Sequence, residues 1–225
     1  MKKDNKYFYE MKTGFLNTIS IIILLVMVLT TFLIFKLTNM NFEISELDYF
    51  IVMIALFPYF FIHEILHSIG YVVNGAKFKN ITYGIHLEKG VLCCSCKQEI
   101  TKKNVLWSLI YPFIFIGIIT YIIGLIFNIQ SLIILSIANI MGCSGDLIMF
   151  YDFIKLKDFR FFEYDNPIAF GITTKDDLKD VKLLGLKRVE EDNIIQTIDK
   201  KISISKFSII FMIGYFVLCL INYFL

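Results

Sequence analysis

The stretch FIVMIALFPYFFIHEILHSIGYVV, residues 50–73, is long and apolar enough to cross a lipid bilayer as one helix. About 20 helical residues, each rising about 1.5 Å, span a hydrocarbon core of about 30 Å. Of the 225 residues, 57% are hydrophobic and only 19% are charged, a balance that is rare in soluble domains. Four more stretches meet the same criterion: residues 15–37, 105–127, 131–154 and 204–225. The sequence therefore predicts an all-α integral membrane protein with five transmembrane helices.

Basic residues in the connecting segments predict the orientation in the membrane. They are frequent before the first span, in residues 74–104 and in residues 155–203, whereas residues 38–49 and 128–130 contain no Lys or Arg. By the positive-inside rule, this multi-pass cell-membrane protein has a cytoplasmic N-terminus and an extracytoplasmic C-terminus. The net charge of +2 and the dispersed basic residues do not indicate a nucleic-acid partner.

Two histidines and a glutamate lie within the quoted stretch, in the order His63-Glu64-Ile65-Leu66-His67. On a helix, this spacing puts both imidazoles on one face, where they can share a metal ion with the glutamate beside them. A charge at the centre of a span costs about 2.5 to 3.5 kcal/mol, so ionisable groups persist there mainly where they have a function. We therefore predict that His63 and His67 bind one Zn²⁺ ion. The alternative is a neutral pair that hydrogen-bonds neighbouring helices.

A catalytic zinc ion usually has three protein ligands and a water molecule at the fourth position. Candidates for the third ligand are His86, the cysteines of the loop, and acidic residues near helix ends. Depth favours Asp146, because the histidines lie about 20 to 26 Å along their span and Asp146 about 22 Å along its own. Asn139 shares a helix face with Asp146. We expect that face to pack on the histidines, with Asn139 hydrogen-bonding a ligand or the substrate.

The loop between the second and third spans predicts a small cytoplasmic β-hairpin over residues 81–97. Its two strands would surround a turn at Lys89-Gly90, with Tyr83 opposite Cys96 and Ile85 opposite Cys94. An exposed edge could pair with an extended peptide, or the hairpin could simply lie on the membrane surface. The chain then divides into an N-terminal segment with the first span, a metalloprotease-like core, a cytoplasmic appendage and a fifth span, at residues 1–49, 50–154, 155–203 and 204–225.

These motifs resemble the "putative zincin peptidase" family of bacterial membrane proteins, which is related to the site-2 proteases. The match rests on residues 63–67 in a membrane helix, and on Gly145-Asp146 after a span that contains Asn139. Site-2 proteases usually carry Asn, Pro and Gly near this aspartate, whereas residues 143–147 here read CSGDL, without proline. The resemblance covers about residues 50–154 and implies hydrolysis of peptide bonds in or near the membrane.

The predicted function is that of an intramembrane zinc metalloprotease, in which Glu64 activates a zinc-bound water molecule. Its partners would be the lipid bilayer and a membrane protein or peptide substrate. The alternative is a non-enzymatic metal-binding membrane protein, or an inactive protease homologue that binds a partner helix. The presence of Glu64 favours the enzyme, because metal binding alone does not require it.

Overall fold

Five helices form the apolar part of the structure, a computed structural model that describes residues 4–86, 91–163, 169–178 and 181–190. Within these ranges, apart from a 3₁₀ turn at Phe78–Asn80, they are α1 Thr13–Thr38, α2 Glu46–Val73, α3 Lys102–Ile126, α4 Gln130–Gly142 and α5 Ser144–Lys155. By length and composition, the first three could each cross a membrane. The helix α3 contains a π-helical turn at Phe113–Ile119.

Seven strands accompany the helices in the described part of the chain: β1 Asn5–Met11, β2 Ile81–His86, β3 Val91–Cys96, β4 Ile100–Thr101, β5 Arg160–Glu163, β6 Ala169–Thr174 and β7 Leu186–Val189. Five of them form an antiparallel sheet in the order β4-β5-β6-β1-β7, and β2 pairs with β3. The all-α prediction is therefore wrong. That prediction was based on apolar runs long enough to cross a membrane. The strands are shorter than such runs, and β1 pairs with β6, which lies more than 150 residues away in the sequence.

The prediction of five spans is also wrong for the described residues. They contain three helices that are long and apolar enough to span a membrane, or four spans if a bent pair of helices counts as one span. The predicted fourth span is broken into α4 and α5, whose axes differ by 46°. The break lies at Cys143, where ψ is 2°, outside the helical range, within the small-residue sequence Gly142 to Gly145. Residues 204–225 lie outside the described residues.

The five-stranded sheet lies at one end of the helices. The strand β1 leads into α1, β4 leads directly into α3, and α5 leads out to β5. Aromatic rings join α5 to the sheet, because Phe153 contacts Phe161 and Phe170 with ring centroids 5.7 and 5.5 Å apart. Segments that the charge pattern predicts to be cytoplasmic thus share one sheet. The predicted division into domains stays a prediction.

A close contact between α2 and α3 positions the histidine-bearing face. A Cβ atom added to Gly70 would lie 2.4 Å from the Cα atom of Ser108, so only glycine permits this separation. On its other side, α3 packs on α4, where a Cβ atom at Gly117 would lie 2.9 Å from the Ile140 side chain. The glycines therefore bring three helices together around the histidines.

Replacing Gly70 with alanine should force α2 and α3 apart, at a cost of about 1 to 3 kcal/mol in unfolding free energy. The matched control is Gly14→Ala in α1, where nothing lies within 4 Å of the added Cβ atom. Equilibrium unfolding in mixed micelles would measure both variants. A Gly70→Ala protein that is as stable as the Gly14→Ala protein would contradict the close backbone contact.

Candidate metal centre

Two imidazoles and a carboxylate meet where α2 faces the first turn of α5. The Nε2 atom of His63 lies 3.4 Å from Oδ2 of Asp146, and Nε2 of His67 lies 3.6 Å from the same oxygen. The two Nε2 atoms are 3.0 Å apart. Both histidines are buried, each with 8% of its surface exposed. The structure thus brings together the three residues that the sequence proposes as metal ligands.

The main chain of α3 determines which nitrogen of His67 is free. The Nδ1 atom of His67 lies 2.9 Å from the carbonyl oxygen of Ser108, and the Ser108 hydroxyl donates to the His67 carbonyl at 2.9 Å. Because a carbonyl can only accept, Nδ1 must carry the proton. The Nε2 atom is then an unprotonated donor of an electron pair, facing Asp146.

Asn139 has the same effect on His63. Its Nδ2 atom donates to the carbonyl oxygen of Pro112 at 3.2 Å, which leaves Oδ1 to accept from Nδ1 of His63 at 2.8 Å. The Pro112 carbonyl therefore fixes the orientation of the amide, and the amide fixes the protonated nitrogen of His63. Asn139 is fully buried, and it contacts one of the proposed ligands.

This arrangement fits a zinc ion. Two unprotonated ring nitrogens and a carboxylate oxygen point at one another, and a single cation can satisfy all three, whereas a proton can be shared by only two. Zinc bonds of about 2.0 to 2.2 Å in tetrahedral geometry separate neighbouring ligand atoms by about 3.3 to 3.6 Å. The observed separations are 3.0, 3.4 and 3.6 Å. Among the described residues, these three form the group able to hold a metal.

The other candidate ligands do not join this group. Cys94 and Cys96 are buried in β3 and lie outside the group of three. The backbone of His86 pairs with Val91, and its side chain lies outside what the structure describes. Cys143 is buried beside the centre, with Sγ 3.9 Å from Nδ1 of His63, which is the nitrogen that faces Asn139.

Glu64 lies between the histidine face of α2 and the β-hairpin. Its carboxylate accepts a hydrogen bond from the backbone N–H of Cys94 in β3. This contact holds the carboxylate next to the metal ligands and, at the same time, brings a strand edge to the centre.

The strands β2 and β3 form the hairpin expected before α3, but the predicted register is wrong by two residues. Tyr83 lies opposite Cys94 and Ile85 opposite Leu92. The predicted turn at Lys89-Gly90 lies outside the described residues. Contacts with α2 explain the register, because Tyr83 donates to the Ser68 hydroxyl at 2.7 Å and its ring stacks on Phe61. A shift of two residues keeps Tyr83, Cys94 and Cys96 on one face of the hairpin, as predicted.

Glu163 is a residue that the sequence did not single out. Its Oε2 atom accepts the backbone N–H of Cys96 at 2.8 Å, and Oε1 accepts the hydroxyl of Tyr71 at 3.3 Å. It therefore joins β5 of the large sheet to both the hairpin and α2. Burial raises the pKa of Glu163 from 4.5 to about 7, against the opposing effect of these hydrogen bonds. Its partners lie far away in sequence, and no local motif marks it.

A family model described as "Putative zincin peptidase" matches residues 56–158, slightly less than half of the chain. The matched region contains His63, Glu64, His67, Asn139 and Asp146. No curated protein and no solved structure matches the chain. The match supports a zinc-dependent metallopeptidase.

Replacing Asn139 with alanine should lower zinc affinity by about 10-fold to 100-fold, because His63 loses the acceptor that fixes its protonated nitrogen. The control is Ser136→Ala, which removes the 2.7 Å hydrogen bond to Thr120 from the same helix interface without touching a histidine. Competition with a chromogenic zinc chelator would measure both. Equal affinities in the two variants would contradict a positioning role for Asn139.

Ionisation of Glu163 should weaken the fold. Because its pKa rises from 4.5 to about 7 on folding, the stability gained from the protonated form is complete below about pH 4.5 and is lost as pH rises through about 7. Relative to Glu163→Gln, the wild type should lose up to about 3 kcal/mol over this range.

Chemical unfolding of the metal-free protein between pH 5 and 8 would test this expectation. The control is Glu99→Gln, which removes an exposed carboxylate that pairs with Arg160 at 3.6 Å. If Glu163→Gln and wild type keep a constant difference in unfolding free energy across this range, the raised pKa is refuted.

Proposed function

We propose that this protein is an intramembrane zinc metallopeptidase that hydrolyses peptide bonds of membrane-associated substrates. The observation that carries the proposal is the convergence of His63, His67 and Asp146 within 3.6 Å, with Glu64 beside them. The family match over residues 56–158 supports the same chemistry.

Each residue of the centre has a role in this proposal. His63, His67 and Asp146 would hold the metal. When bound, zinc lowers the pKa of a coordinated water molecule toward about 7 and polarises the scissile carbonyl. Glu64 would take the proton from the attacking water and return it to the leaving amine. The Cys94 N–H would keep the Glu64 carboxylate facing the centre before the substrate arrives.

The position of the centre along α2 supports an intramembrane site that opens toward the sheet. His67 lies six residues before the end of α2 at Val73, or about 9 Å of helix, and the hairpin follows that end. Hydrolysis needs water, and at membrane depth water requires a cavity lined by protein. The basic residues on the sheet side support an opening to the cytoplasm.

The outer edge of β3 supports an extended peptide as the substrate. The N–H groups of Cys94 and Cys96 point away from β2, toward Glu64 and Glu163. A peptide strand that paired with this edge would run beside Glu64, in the manner of strand addition to an open sheet edge. The chain around a peptide bond must be extended to expose the carbonyl of that bond. The edge of β3 therefore suits an unwound segment of a membrane substrate.

Glu64→Gln should lower the rate of peptide hydrolysis by at least about 100-fold, because glutamine cannot accept the proton. The variant should retain zinc, because glutamine preserves the shape of the side chain. Zinc content would be measured on purified protein. Turnover would be measured by mass spectrometry on a panel of synthetic single-span peptides in proteoliposomes, with and without a chelator.

The control variant is Glu99→Gln, which removes an exposed carboxylate that pairs with Arg160 and should retain cleavage. Chelator-sensitive cleavage by wild type that persists undiminished in Glu64→Gln would refute the assigned base. Zinc-loaded wild type that cleaves no member of the panel would favour the metal-binding protein without enzymatic activity.

A further inference from the structure

A basic cavity lies on the sheet side of the molecule, away from the metal centre. It has a volume of about 490 Å³ and lies beneath β1 and β7, near the ends of α1 and α5. Its lining includes five cationic residues and no carboxylate, namely Lys12, Lys155, Lys182, Lys187 and Arg188. Because these residues come from separate parts of the chain, folding is what gathers the charge.

Among the described residues, these cations have few anionic partners. Lys187 pairs with Glu10 at 3.2 Å. Lys12 donates to the carbonyls of Leu183 and Leu184, while Lys155 and Arg188 lie over tyrosine rings at 3.7 and 4.7 Å. Carbonyls and rings do not neutralise a positive charge, so Lys12, Lys155 and Arg188 keep an attraction for an anion.

The location favours one kind of anion. Lys12 directly precedes α1, and Lys155 is the last residue of α5, so both cations lie where apolar helices end. Val181 and Leu184 of the lining are 40% and 51% exposed, which provides apolar surface beside the charge. Cations next to exposed aliphatic groups at helix ends match the phosphate and acyl chains of an anionic lipid.

We propose that this cavity binds the phosphate headgroup of an anionic phospholipid. Lys12, Lys155, Lys182 and Arg188 surround the phosphate. The acyl chains leave along Val181 and Leu184. The site is independent of the peptidase chemistry, because it shares none of the residues of the metal centre.

Thermal unfolding of the full chain in a neutral detergent would test this proposal. Short-chain phosphatidylglycerol should raise the unfolding midpoint by roughly 5 to 10 °C at a concentration about 100 times its dissociation constant. Phosphatidylcholine of the same chain length should have little effect. An equal shift with glycerol phosphate would overturn the lipid assignment in favour of a soluble phosphate.

The double variant Lys155→Gln/Lys182→Gln should lose most of the shift caused by phosphatidylglycerol, because both side chains line the cavity and are exposed enough to be replaced without opening the core. The matched control is Lys77→Gln/Lys79→Gln, which removes two exposed cations from the loop before β2. Equal shifts in the two double variants, or no shift in wild type, would overturn the site.

Discussion

Three electron-pair donors converge within 3.6 Å inside apolar helices, and the surrounding structure depends on this constraint. The Nε2 atoms of His63 and His67 and the carboxylate of Asp146 would repel one another without a cation, and burial weakens the screening that water would provide. The tertiary structure fixes the orientation of both imidazoles. Each imidazole donates a hydrogen bond from Nδ1–H to a carbonyl oxygen, which belongs to Ser108 for His67 and to Asn139 for His63. Neither ring can therefore turn its protonated nitrogen toward the centre.

Irregularities in the helices supply what a regular helix cannot. Gly70 lets α3 approach until the Ser108 carbonyl reaches His67, and the carbonyl of Pro112, just before the π-helical turn, orients Asn139. The break at Cys143 puts Asp146 in the first turn of α5, where the positive end of the helix dipole favours a carboxylate. A straight fourth span would lack this favourable helix end.

The sheet connects the membrane part of the chain to its polar part. Glu163 joins β5, β3 and α2 through one carboxylate, and Cys94 extends the hairpin to Glu64. The hairpin is thus held at both carboxylates along the edge of β3. The same sheet also borders a basic cavity beside the ends of α1 and α5. One small sheet therefore positions both the proposed substrate edge and the proposed lipid site.

The sequence by itself determined the features that depend on spacing along a single element. The i, i+4 histidines follow from the helix period, the candidacy of Asp146 from its depth, and the alternating hairpin faces from the strand period. Only the tertiary structure decided the large sheet, the hairpin register, the helix break and the roles of Ser108 and Glu163. Backbone carbonyls carry no sequence signal, and the partners of Glu10 and Glu163 lie up to 177 residues away. Such contacts depend on how elements pack, which no local pattern encodes.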